Sequence, residues 1–198
     1  MATIGLSKPY YAIYKNSDTT VTYSGLAVLA KAVEFSMELD GDDNNILYAD
    51  NGPAESAKQF SGGTMTITTD DILPEAGAAI LGLTLQTVTN EDISTATPQE
   101  MVFGESQTIP YLGFGVVIKK QQNNIMKYMG LVLPKIQFSN PGISAITQGE
   151  TIDWQTPELT ATIMRDDTAA HNWCRYSLLD SEADAVAYIT QLLGGKAA

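Results

Sequence analysis

The chain has 198 residues, 44% of them hydrophobic and 17% charged, a composition that suits one folded domain with a substantial core. Asp and Glu number 23 against 11 Lys and Arg, and the formal charge of −12 argues against gripping a phosphate backbone, because sequence-independent affinity for nucleic acid comes from Lys and Arg releasing counterions. A single cysteine excludes an intramolecular disulfide or a Cys-rich zinc site, no apolar run approaches the roughly 20 residues that cross a bilayer, and MATIGLSKPYYAIY does not read as a signal peptide.

Period-two patterning dominates. In KAVEFSMELD (31–40), Val33, Phe35, Met37 and Leu39 alternate with Glu34, Ser36 and Glu38, which predicts a half-buried strand with one wet face. The next stretch, 40–63, is long and rich in Asp, Asn and Gly, with room for at most a short strand at Ile46–Tyr48. Loops of this length are usually functional or disordered. Ile46, Leu47, Tyr48 and Phe60 give this one something to bury, so an extended arm is expected. GGTMTITTD (62–70) repeats the strand pattern more weakly, with Met65 and Ile67 between threonines. DDILPEAGAAILG (70–82) predicts a helix, with Asp70 or Asp71 as N-cap, Pro74 in an early turn and Gly82 at its end.

A second, shorter polar loop follows at 90–100. YLGFGVVIKK (111–120) and IMKYMGLVL (125–133) are apolar, β-branched and aromatic runs joined by QQNN, which predicts a hairpin. ETIDWQTPELTATIMR (150–165) predicts two strands broken near Pro157, and NWCRYSLL (172–179) one more. DSEADAVAYITQLLGG (180–195) is the better-marked helix. Ser181 and Asp184 make a start resembling a capping box, Gly194 and Gly195 close it, and Val186, Ile189 and Leu193 form an apolar stripe suited to lying on a sheet. The fold class expected is mainly β: a two-sheet sandwich or barrel over residues 1–198, with one or two flanking helices and a long extended loop.

The most reactive-looking stretch, TIMRDDTAAHNWCRY (162–176), holds the chain's only histidine, His171, and its only cysteine, Cys174. On a strand, residues three apart point to opposite faces, so His171 and Cys174 do not make a nucleophile–base pair. RDDT reads as a turn in which Asp side chains bond nearby N–H groups and Arg165 pairs with a carboxylate; His171, Trp173 and Cys174 are expected to pack near the C-terminal helix. DGDDNN (40–45) lacks the glycine and glutamate positions of a helix–loop–helix calcium site. No phosphate-cradling glycine loop, dinucleotide fingerprint or His-Glu-x-x-His is present. Neither an enzyme nor a cofactor is expected.

SKPYYAIY, LYADNGPAE, FSGGTMTITTDD and TPELTATIMRDDTAAHNW resemble, in order and over about Lys8 to Ile189, the major tail proteins of long-tailed bacteriophages and prophages of Gram-positive bacteria. The resemblance implies a tail-tube subunit: two packed sheets with a flanking helix, joined into hexameric rings that stack into a hollow tube. It implies a virion protein assembled in the host cytoplasm, with copies of itself, the tape-measure, tail-terminator and distal tail proteins as partners. DNA would pass through without specific binding, and no membrane insertion is implied. On this reading the arm joins ring to ring, with Asp42, Asp43, Ile46, Leu47, Tyr48, Asn51 and Phe60 as its candidates. Glu34, Ser36 and Glu38 are candidates to face the lumen, or else outer solvent. Lys119, Lys120 and Arg165 are candidates for subunit contacts. Two other classes stay open from the residues alone: a soluble β-sandwich binding module of a tail tip or cell-surface adhesin, and a small hydrolase using carboxylates.

Overall fold

A computed structural model describes residues 1–40, 45–49, 52–57, 60–88, 98–143, 145–147 and 154–194. The chain begins with two long strands, β1 (Ala2–Ser17) and β2 (Thr20–Val28), which pair antiparallel. The periodicity did not mark β1 as a strand. It is bulged twice against its other neighbour, between Thr3 and Gly5 and between Ser7 and Tyr10, with Lys8 in the left-handed region at φ 51°. Each bulge resets which face a side chain occupies, so the alternation that marks a strand is lost.

After β3 (Ala32–Leu39) come β4 (Asn45–Ala49) and β5 (Gly52–Ala57), a hairpin forming its own two-stranded sheet. The strand expected at Ile46–Tyr48 is therefore present and has a partner. In β3, Phe35 and Met37 pack on the core as expected, whereas Val33 is 55% and Leu39 47% exposed. The register slips between Ala32 and Glu34, and that bulge turns Val33 outward.

β6 (Gly63–Thr69) leads to α1 (Pro74–Leu81), a later start than the sequence suggests. The cap is Leu73, with no side-chain hydrogen bond, and Asp70 and Asp71 serve the preceding turn instead. Asp70 Oδ1 accepts from the N–H of Lys31 (2.9 Å) and Asp71 Oδ1 from that of Ile72 (2.7 Å). Pro74 then opens the helix, where its missing N–H is not needed. Gly82 ends it with φ 64°, as expected.

A small ribbon, β7 (Thr84–Thr87) with β8 (Gln99–Val102), flanks the expected second loop, of which 90–97 lie outside the described residues. β9 (Leu112–Gln122) and β10 (Ile125–Phe138) form the expected hairpin. Asn123 and Asn124 both take positive φ, 50° and 62°, the two-residue turn whose twist matches the flanking strands. Of the two strands expected across Pro157, one is described: β11 (Glu158–Met164) starts directly after the proline, 154–157 are irregular, and 148–153 lie outside the described residues. β12 (Arg175–Leu179) and α2 (Glu182–Leu192) finish the fold.

The main sheet runs β2-β1-β9-β10-β11-β6-β3, with β12 also on β10. One edge of β10 serves two ladders: Tyr128–Val132 pairs with β12, and Lys135–Phe138 with β11. The sheet divides there into two layers that enclose Phe114, Leu133, Ile136, Met65, Ile67 and Ile163. Phe35 stacks on Phe114 across this core, with centroids 5.9 Å apart. β3 comes alongside β1 without forming a ladder, so the barrel-like wrap stays open at that seam.

α2 covers the opposite face of β9–β10, burying Ala185, Ile189 and Leu193 over Ala12, Val117 and Val132. The Ser181 hydroxyl accepts from the Asp184 N–H at 3.1 Å, which is the predicted cap. Gly113, Gly115 and Gly130 lie beneath the helix; a Cβ on Gly113 would stand 2.6 Å from Leu193 Cδ2.

Candidate functional site

The outer face of β3–β6–β11 is the most distinctive surface of the chain. Cross-strand pairing sets Glu34, Thr68 and Glu158 in one row, Ser36, Thr66 and Thr160 in the next, and Glu38, Thr64 and Thr162 in a third. All nine are exposed or half-exposed, while Met65, Ile67, Leu159, Ala161 and Ile163 between them point into the core. Among the described residues the grid contains only carboxylates and hydroxyls, with no cation. Sequence reasoning found Glu34, Ser36 and Glu38 but missed the threonines and Glu158. Their signal was there, in the alternate threonines of GTMTITT and ELTATIM. What the sequence does not give is the register that aligns them.

The arm candidates divide. Ile46, Leu47 and Tyr48 belong to β4, while Asp42, Asp43 and Asn51 lie outside the described residues. Phe60 marks the arm's base. Its ring stacks on Trp173 at 4.5 Å and an interplanar angle of 2°. The Arg165 guanidinium lies 5.8 Å from the same ring and donates to the Phe60 carbonyl. Among the described residues, Arg165 meets this ring and carbonyl, and no carboxylate lies within ion-pair distance of it.

The RDDT turn forms as the sequence suggests. Asp166 is 5% exposed, and its Oδ1 accepts from the Thr168 hydroxyl (2.7 Å) and the Asn172 N–H (2.8 Å). His171 is exposed, with φ 47°, its Nδ1 3.2 Å from the Asp166 carbonyl oxygen. Trp173 and Cys174 pack on the inter-sheet core, not beside α2 as expected, because the loop folds back over the arm base before β12 begins. Burial pushes the Cys174 thiol above its ordinary pKa, away from the reactive thiolate.

Asp167 anchors the neighbouring cluster. Its Oδ2 accepts from Lys135 Nζ, the Tyr14 hydroxyl and Asn16 Nδ2, each at 2.8 Å. Lys135, with its side chain 14% exposed, also sits over the Tyr14 and Tyr111 rings at 5.2 and 4.8 Å. The hydrogen bond from Lys135, followed by that from Tyr14, holds the Asp167 carboxyl below its ordinary range. Desolvation pushes Tyr14 up to about 12 and also raises Tyr23.

Lys119 and Lys120 sit near the end of β9, half-exposed. Lys119 Nζ lies 6.0 Å from the Tyr128 ring centroid, and Lys120 faces Thr3 on one side and Lys127 on the other. Among the described residues no carboxylate lies within ion-pair distance of either lysine, no cluster of His, Cys, Asp and Glu suits a metal, and no helix is long and apolar enough to cross a membrane. The chain matches no protein-family model and no curated protein.

Proposed function

We propose that this chain is a structural subunit of a long-tailed phage tail tube: copies join laterally into hexameric rings, and the rings stack into a hollow shaft that delivers DNA. The reading is carried by the cation-free grid on β3–β6–β11. A wall that must let a polyanion slide has to repel phosphate weakly and offer no lysine or arginine to hold it. Glutamates spaced among threonines meet that need. Among the described residues, β2 and β3 each have an edge without a ladder partner. Such edges are hazards in a monomer, and a neighbouring copy satisfies them in a ring. The grid includes the β3 edge, so lateral pairing there continues the same surface from subunit to subunit.

Size-exclusion chromatography and negative-stain electron microscopy of the purified protein test this. Rings or tubes with a central channel are expected as concentration rises. A species that stays monomeric under all concentrating and nucleating conditions would refute the proposal and leave a soluble binding module.

A further inference from the structure

A second surface stands apart from the acidic grid. Leu6, Ile118, Met129 and Leu178 are successive cross-strand partners on β1, β9, β10 and β12. The first three pack partly on the inter-sheet core, but Leu178 is 47% exposed, and Tyr176, on the same face of β12, is 68% exposed. The cause is topological. β11 follows β10 only over Lys135–Phe138, so the second layer stops short of β12. The next row on this face sets Lys120 directly opposite Lys127, with Asp180 paired to Lys127 alone. Like charges placed opposite each other cost stability unless a further carboxylate approaches.

The β4–β5 hairpin has the complementary character. Residues 40–57 include Asp40, Asp42, Asp43, Asp50 and Glu55, no Lys or Arg, and the apolar run Ile46–Tyr48. Among the described residues its strands form a sheet with each other alone, and a lone two-stranded hairpin is marginally stable at best in water. We infer that the apolar strip of Tyr176, Leu178, Met129 and Ile118, bordered by Lys120 and Lys127, is the socket for the β4–β5 hairpin of a second copy. The hairpin and the socket are different patches, so the contact is head-to-tail and leaves a free hairpin at one end and a free socket at the other, which propagates a filament. The stacking direction of this contact rests on the tube reading; the contact itself does not.

Two chains, each with Cys174→Ser, test it when one carries Leu47→Cys and the other Leu178→Cys. Mixing and oxidation are expected to give a disulfide between the two different chains, identified by mass spectrometry. In otherwise unaltered protein, Lys120→Glu with Lys127→Glu raises the concentration needed for assembly about tenfold or more, and Asp42→Lys with Asp43→Lys restores it. Leu178→Glu, at an exposed position, gives the same loss with circular dichroism unchanged. Absence of the mixed disulfide, or normal assembly by both the lysine-reversed and the Leu178→Glu proteins, would overturn the socket while leaving the tube intact. Mixed disulfides without rings or tubes would support the socket and sink the tube reading.

Discussion

Asp167 and Lys135 show how an ion pair can be bound into the edge of a β core. The carboxylate is surrounded by donors, so its ionised form is stabilised and its folded pKa lies below the ordinary value. A depressed carboxyl pKa contributes stability that is present above the unfolded pKa of about 3.9 and lost as pH falls through the folded value. Asp167→Asn is therefore expected to lower stability at neutral pH by about 2 kcal/mol, since it strands a largely buried lysine. The difference from the parent should shrink at an acid pH below the depressed folded value, where the parent has lost the same charge. Denaturant unfolding at both pH values checks this; an equal difference at both would show that the ion pair is not the source.

At the scale of elements, α2 lies close on the sheet because the strands beneath it carry glycine where they cross it. A Cβ on Gly115 would overlap Ile189, and one on Gly130 would stand 3.0 Å from the Tyr188 ring. Gly115→Val should cost about 1–3 kcal/mol through overpacking, and Ile189→Ala in the same chain should recover part of that loss. Calorimetry of the two variants would show it; additive losses would mean the helix is not seated where described. Ser181→Ala removes the hydroxyl that accepts from Asp184 and should cost about 1 kcal/mol, read as a lower midpoint in thermal unfolding followed by circular dichroism.

For the whole molecule, the consequence for the proposed tube lies in its assembly. The arm is tied down at its base by Phe60, between Trp173 and Arg165, and β6 re-enters the sheet through Gly63 opposite Leu39. Deleting residues 41–61 with a short glycine-serine link should therefore leave a folded subunit, with α2 and the main sheet intact by circular dichroism, that forms no stacked tube by electron microscopy. The deletion removes Phe60, so a modest loss in unfolding midpoint is expected. Tubes of normal length from that protein would show that the arm does not connect rings.

Much of the fold was legible in the residues wherever local chemistry and pattern agree. The β9–β10 hairpin follows from two apolar runs around paired asparagines, and α2 from its serine cap and apolar stripe. Gly82 marks a helix end because only a residue tolerant of positive φ suits the turn there. The polar side of β3 was equally readable, and with it part of the candidate site. What the sequence hid depends on distant neighbours. The bulges of β1 are stabilised by ladders to β2 and β9, and they erase the alternation a local reading needs. Register across β3, β6 and β11 gathers threonines from separate segments into one acidic wall, and the two-ladder edge of β10 leaves Tyr176 and Leu178 uncovered. Periodicity along a strand is set by the backbone's own pleat and so is written in the sequence. Which strands lie side by side, and at what offset, is settled only when the whole sheet closes on its core.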